Sequence, residues 1–236
     1  KDWSLFLTVS RTASAIATKM AQISENRVLI GNPGSGKSTL WNCHLGQIMF
    51  ASGTTLDGQG LTDHLQEFIL DFVKYMDTPG LADIEKRKKA AQEIQKALMA
   101  GGKYRLMFVL RSNGGRLNPE DITTMMLVLQ ASQQIGQDNF GIIINSCGKA
   151  WLQKVESYGF EKWMSESLHR RLADLHLPTT KHVHLAPHKE DLLDEDSVIV
   201  PLSDATNMFL REGVPAFALD PDLIADINAE SFADIQ

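Results

Sequence analysis

Cysteine is scarce. Cys43 and Cys147 are the only two in 236 residues. Two thiols make no disulfide framework, so the chain is expected to fold on a hydrophobic core in a reducing compartment, with a cytoplasmic location. Long hydrophobic runs are missing too. The longest apolar stretches, such as Leu106–Leu110 and Ile142–Ile144, are strand-sized. A membrane-spanning helix needs roughly 20 such residues. No signal peptide is visible. Lys1, in place of an initiator methionine, reads as the start of a fragment. Membrane association is therefore expected only through segments absent from this chain. Positive charge is not in excess: 23 Lys and Arg against 29 Asp and Glu leave a net −6. Phosphate-backbone neutralisation requires clustered Lys and Arg, so nucleic acid is not an expected partner. There is no internal repeat and no low-complexity tract.

What remains is an ordinary globular composition, 43% hydrophobic and 22% charged, long enough for one sizeable α/β domain. Residues 3–24 read as a lead-in helix. Arg27–Gly31 is a short apolar run ending in glycine, which suits a buried strand. A Gly-rich loop follows, then helical content over Ser38–Gly46. Residues 51–63, rich in Gly, Ser and Thr, form a loop long enough to suspect function. Leu65–Ile69 and Phe72–Met76 read as two strands joined tightly. Ile84–Ala100 carries a helical apolar face and is stopped by Gly101 and Gly102. Leu106–Leu110 is a buried strand. Asn118-Pro119-Glu120-Asp121 starts a helix, with Asn as N-cap and acids at its positive end, running to about Ile135. Gly141–Asn145 is a strand, Trp151–Leu175 a helix broken near Gly159, Lys181–Ala186 the last strand and Leu202–Arg211 the last clear helix. From Val214 onward there is no strong pattern. Strands alternating with helices predict an α/β fold: a mainly parallel sheet with helices on both faces, one antiparallel strand and extra helices at the termini. The expected units are a lead-in helix over 1–25, a nucleotide-binding domain over 26–212 and an extension over 213–236.

Gly31-Asn32-Pro33-Gly34-Ser35-Gly36-Lys37-Ser38 satisfies G-x-x-x-x-G-K-[ST]. Glycines let the backbone curl so that successive N–H groups point inward at phosphate oxygens, and the following helix adds its positive end. Lys37 places a cation on the outer phosphates and Ser38 offers a hydroxyl to Mg²⁺. Asn32, Gly34, Ser35, Gly36 and Thr39 are expected to contact the nucleotide through the same loop. The run lies between a strand and a helix, which is the context the motif requires.

Asp77-Thr78-Pro79-Gly80 closes a later strand. In phosphate-loop proteins a carboxylate placed there holds Mg²⁺, often through water, and the glycine N–H meets the γ-phosphate, so loss of that phosphate releases the segment. A threonine from the intervening loop should complete the metal shell. Thr54, Thr55 and Thr62 are candidates, and Thr62, just before the next strand, is preferred. The metal set is thus Ser38, Thr62 and Asp77.

The run Gly36-Lys37-Ser38-Thr39-Leu40-Trp41-Asn42-Cys43-His44-Leu45-Gly46 resembles the start of the Era, septin and AIG1 group of GTPases, which repeats N-x-x-L-G there. Asp77-Thr78-Pro79-Gly80-Leu81-Ala82-Asp83 looks like that group's second phosphate motif. Gly115-Arg116-Leu117-Asn118-Pro119-Glu120-Asp121 is similar to a box carried by AIG1-type members (immunity-associated and chloroplast-import-receptor-like). These likenesses span residues 28–147; the C-terminal third has none. The resemblance implies a P-loop GTPase fold, bound GTP or GDP with Mg²⁺, a homodimer in the triphosphate state and frequent membrane association.

The base-reading motif departs from this pattern. Where the group carries N/T-K-x-D, this chain has Asn145-Ser146-Cys147-Gly148. Asn145 fits as a nucleotide contact, but Ser146 replaces the lysine and Gly148 the aspartate. In Pro187-His188-Lys189-Glu190-Asp191-Leu192, either Glu190 or Asp191 could substitute for the lost carboxylate. Leu81 stands where many switch GTPases carry a water-positioning glutamine, so hydrolysis should be slow. Arg116, after two glycines, is the candidate catalytic residue, supplied across a dimer; the bland alternative is a surface arginine pairing with Glu120 or Asp121.

Other residues have plainer readings. Lys86-Arg87-Lys88-Lys89 is a solvated helix face, with contact to an anionic surface as the alternative. His182, His184 and His188 lack the company of a zinc site. Cys147 is a small buried residue rather than a nucleophile. Trp151 is a core residue or a cover for the base. Three rival functions remain open: a P-loop ATPase, a scaffold that binds nucleotide without hydrolysing it, and a small-molecule kinase, for which the pair Arg170-Arg171 is too little.

Overall fold

The computed structural model describes residues 23–53, 61–192 and 196–232. The expected lead-in helix lies outside these residues up to position 22, as do Thr54 and Thr55. The sheet begins with β1 (Glu25–Ile30), followed after the Gly-rich loop by α1 (Lys37–Leu45), the hairpin β2 (Gln66–Leu70) and β3 (Val73–Asp77), and α2 (Arg87–Leu98). Then come β4 (Lys103–Asn113), the two-residue β5 (Arg116–Leu117), α3 (Pro119–Ala131), β6 (Phe140–Cys147) and α4 (Lys149–Tyr158). Short helices α5 (Phe160–Trp163) and α6 (Arg170–Asp174) flank a π-helical turn, and β7 (Val183–Pro187), α7 (Asp204–Glu212) and β8 (Phe217–Ala218) complete the fold.

The strand order is β2-β3-β1-β4-β6-β7, with β5 and β8 pairing onto β4. β3, β1, β4, β6 and β7 run parallel, and β2 runs antiparallel to β3. The parallel strands are continuous apolar runs because both faces are covered. Alternation divides them. Val28, Ile30, Leu106, Phe108, Ile142 and Ile144 join one core with α2 and α3. Leu29, Met107, Val109 and Ile143 join the other with Leu40 and Trp41 of α1 and Leu210 of α7.

Three expectations need correction. Asn118 occupies an extended N-cap conformation, but its side chain caps nothing, and α3 ends at Ala131 because Ser132 turns to extended backbone. The helix expected from Trp151 starts earlier, at Lys149, while its break falls where expected, at Gly159, whose φ of 94° lies in the left-handed region. The tail after Val214 is built into the fold. Phe217 and Ala218 pair with Tyr104 and Lys103, and Phe232 is buried in the larger core beneath the guanidinium of Arg87, 4.2 Å from its ring centroid.

Candidate functional site

The residues after β1, β3, β4, β6 and β7 meet at the C-terminal edge of the parallel strands, where an open α/β sheet leaves a crevice. A cavity of about 410 Å³ lies there, walled by Gly34, Lys37, Ser38, Thr39, Thr62 and Gly80 on one side. Asn145, Ser146, Ala186, Pro187, Lys189 and Asp196 wall the other.

The loop is held from several directions. Gly36 has φ 93°, and a Cβ there would stand 2.3 Å from Nδ2 of Asn145, so only glycine fits. Gly80 lies so close that its Cβ would meet Cδ of Pro33 at 2.2 Å. The segment after β3 is therefore seated directly on the phosphate loop. Lys37 is buried and its Nζ donates to the carbonyl of Asn32 at 3.1 Å. Burial lowers the Lys37 pKa, and the nearby carboxylates of Asp77 and Asp121 oppose that shift.

Ser38, Thr62 and Asp77 come together. The Ser38 hydroxyl donates to Oδ2 of Asp77 at 2.6 Å, and the Thr62 hydroxyl donates to the same oxygen at 3.2 Å. The two hydroxyls are 3.4 Å apart. The other oxygen, Oδ1, is buried without a hydrogen-bond partner. Burial raises the Asp77 pKa, against Lys37 and the two hydroxyls. Thr62 is kept in place by its neighbours: Asp63 pairs with Lys89 of α2 at 3.2 Å, and the Leu65 N–H donates to Glu93 at 2.8 Å.

Asn32 and Ser35 are not among the residues that line the cavity, and their side chains are engaged or enclosed elsewhere, which leaves the backbone N–H groups of the loop as their expected contact with a nucleotide. The Asn32 amide donates to Oδ1 of Asp121 at 3.1 Å, and its carbonyl oxygen accepts from the Ala82 N–H and the Thr124 hydroxyl. It therefore ties the loop to the segment after Gly80 and to α3. Ser35 is buried with its hydroxyl unpartnered. Asn145 donates from Nδ2 to the Ser35 carbonyl at 2.8 Å, bracing the loop from β6. Thr39 lines the cavity at the start of α1.

Arg116 lies apart from the cavity, exposed on the β4–β5 hairpin. Its expected partner Asp121 is buried and already bonded to Asn32 and the Arg111 N–H, and among the described residues Arg116 makes no ion pair. Glu190 and Asp191 sit exposed on a 3₁₀ turn and are not among the residues that line the cavity, although their neighbours Lys189 and Leu192 are. Asp196 lies on the wall instead, with its carboxyl group 2.6 Å from where a Cβ on Gly53 would stand. No motif marked it. Arg111 is another wall residue that the sequence reading missed.

The remaining candidates resolve into structure. Trp151 packs edge-on against Trp163, 5.5 Å between centroids, and against Gly115, rather than over the cavity. The Cys147 thiol is fully buried, and burial pushes it up to about 12. Lys86 and Lys89 pair with Asp83 and Asp63, Arg87 turns inward onto the Leu81 carbonyl, and Lys88 is exposed. His184 donates or accepts against Thr206 and stacks on Phe209, and no cluster of His, Cys, Asp and Glu among the described residues could hold a metal by itself.

Residues 26–145 match the family described as "50S ribosome-binding GTPase". No curated protein matches the chain. Among solved structures, Toc33 from Arabidopsis thaliana in complex with GDP and Mg²⁺ is similar at 15% identity and a TM-score of 0.47, covering 86% of this chain and 91% of that one. Era in complex with MgGDPNP and a segment of 16S ribosomal RNA is similar at 17% identity and a TM-score of 0.46, covering 90% and 65%. NFeoB from S. thermophilus bound to GDP.AlF4⁻ and K⁺ is similar at 14% and 0.46, covering 86% and 65%. The chain therefore spans about two thirds or less of the NFeoB chains it matches.

Proposed function

The chain belongs to the family of 50S ribosome-binding GTPases, and from that premise we propose that it is a guanine-nucleotide switch of AIG1-like type. It binds GTP or GDP with Mg²⁺, hydrolyses GTP slowly as a monomer and faster as a nucleotide-dependent homodimer, and works in the cytoplasm. The observation that carries this reading is the convergence of Ser38, Thr62 and Asp77 beside buried Lys37. One carboxylate with an orphaned buried oxygen and two hydroxyls is too small a set to cage a metal. It suits Mg²⁺ that keeps water and takes its other ligands from phosphate. When bound, that ion neutralises charge developing on the phosphoryl oxygens.

The chain's own residues do the rest. Ser38 and Thr62 would hold the metal through their hydroxyl oxygens, and Asp77 would hold it directly or through water. The loop's N–H groups and Lys37 carry the phosphates. Gly80, seated on Pro33, offers its N–H at the γ-phosphate. Its release would reach Asn32 through Ala82 and so α3 through Asp121 and Thr124. Leu81, which follows Gly80, is fully buried and can neither donate nor accept a bond to water. That favours slow turnover unless charge is supplied from outside. Arg116, exposed on its hairpin and without an ion pair among the described residues, is the side chain best placed to enter a partner's site.

GTP turnover per molecule, measured with Mg²⁺ over a protein concentration series, tests this. The parent should rise with concentration, and Arg116→Ala should stay flat, losing on the order of 10³ in the associated state. Flat series for both would return Arg116 to the surface and favour a nucleotide-binding scaffold.

A further inference from the structure

The base-reading stretch has serine at position 146 where the resembled group has a lysine, and the cavity that Ser146 lines is also lined by Arg111. Arg111 ends the apolar run of β4 and lies in register with Asn145 of β6. Register partners in parallel strands project to the same face, about 4.8 Å apart. Both side chains reach the phosphate loop. Asn145 donates to the Ser35 carbonyl at 2.8 Å, and Nη1 of Arg111 approaches the preceding carbonyl, that of Gly34, at 3.5 Å. Two adjacent strand ends thus face two consecutive loop carbonyls, Asn145 bonded firmly and Arg111 loosely. Arg111 also lines the cavity, as Ser146 does. Its backbone is fixed, since its N–H donates to Oδ2 of buried Asp121 at 2.8 Å. Its guanidinium makes no ion pair among the described residues, and one loose contact leaves most of its five donors uncommitted.

The loop's geometry says which part of a ligand this cation meets. The Gly34 carbonyl adjoins that of Ser35, which Asn145 holds, whereas Lys37 bonds to the Asn32 carbonyl further back in the loop. The guanidinium therefore stands on the side of the cavity where Asn145 and Ser146 lie. We propose that Arg111 is a nucleoside-positioning residue: its planar guanidinium lies along the purine or ribose face of the bound nucleotide. A guanidinium plane suits an aromatic face in a way an ammonium does not. The proposal rests on the nucleotide-binding reading above, and its test separates the two.

Calorimetry with Mg²⁺ compares GDP with inorganic tripolyphosphate, a probe that has phosphates and no nucleoside. Arg111→Ala should lose about tenfold in GDP affinity and keep its tripolyphosphate affinity. Arg111→Lys, which keeps charge without the plane, should fall between for GDP. Thermal midpoints of the unliganded variants should match the parent, because the side chain is exposed and loosely bonded; if the alanine variant is destabilised, the lysine variant carries the comparison. Equal losses with both probes would make Arg111 a phosphate contact and overturn the proposal. So would an unchanged GDP affinity. A parent that binds tripolyphosphate and GDP equally well would overturn it too, since no nucleoside face would then be read. A parent that binds neither probe would remove the nucleotide reading itself, and this proposal with it.

Discussion

The two ends of one cavity are built differently. At the phosphate end, Ser38, Thr62 and Asp77 bond to one another, Lys37 bonds back to Asn32 of its own loop, Gly80 is pressed against Pro33 and Gly36 against Asn145. At the base end, Asn145 keeps its place, but Ser146 has a left-handed φ of 59°, Gly148 is exposed and carries no carboxylate, and Arg111 and Asp196 come from other segments. The difference follows from what is recognised. Phosphate is held by a fixed backbone curl, one cation and a metal shell, and few geometries serve. A base edge is read by a few hydrogen bonds that any nearby loop can donate or accept. One end is therefore constrained to a motif and the other is not.

Removing the cation should have the largest effect on this contrast. Lys37→Ala should abolish measurable triphosphate binding, a loss of about 100-fold or more, while the protein still unfolds cooperatively. Undiminished affinity by calorimetry would mean that the loop does not bind phosphate. A metal ligand should matter less and more selectively. In the parent, chelating Mg²⁺ should weaken GTP binding clearly; in Ser38→Ala, already weaker by about tenfold, chelation should change little further. An unaltered Mg²⁺ dependence in that variant would detach Ser38 from the metal.

The smallest expected effect concerns stability beside the base end. Burial lowers the His184 pKa from 6.5 to about 4. The unfolded chain then binds the extra proton between those values, so stability is complete above pH 6.5 and falls as pH drops toward 4. Thermal midpoints across that window should fall less steeply in His184→Gln. Identical slopes would show that acid sensitivity comes from elsewhere.

Much of the phosphate end was legible because its physics is local in sequence. A strand, a glycine curl and a helix start stand in one run, and Asp77 and Thr62 are each marked by a strand boundary. The doubly covered sheet was legible from strand-sized apolar runs. Arg111 was not, since its role depends on register with Asn145 across two strands. Asp121 showed only as an acid near a helix start, although its carboxylate is buried and fixes both Asn32 and Arg111. The tail from Val214 carried no signal because a two-residue strand and short 3₁₀ turns have no period to detect. Glu190 and Asp191 looked right in letters, but the turn that carries them faces solvent.

Competition between GTP and ATP for the parent protein, in Mg²⁺ and read by calorimetry, tests the central claim most directly. A carboxylate paired with guanine is a charge-assisted contact that Gly148 cannot make. The account predicts that GTP binds more tightly than ATP, by a smaller factor than an intact N/T-K-x-D motif gives. Equal affinities or a preference for ATP would contradict the guanine assignment.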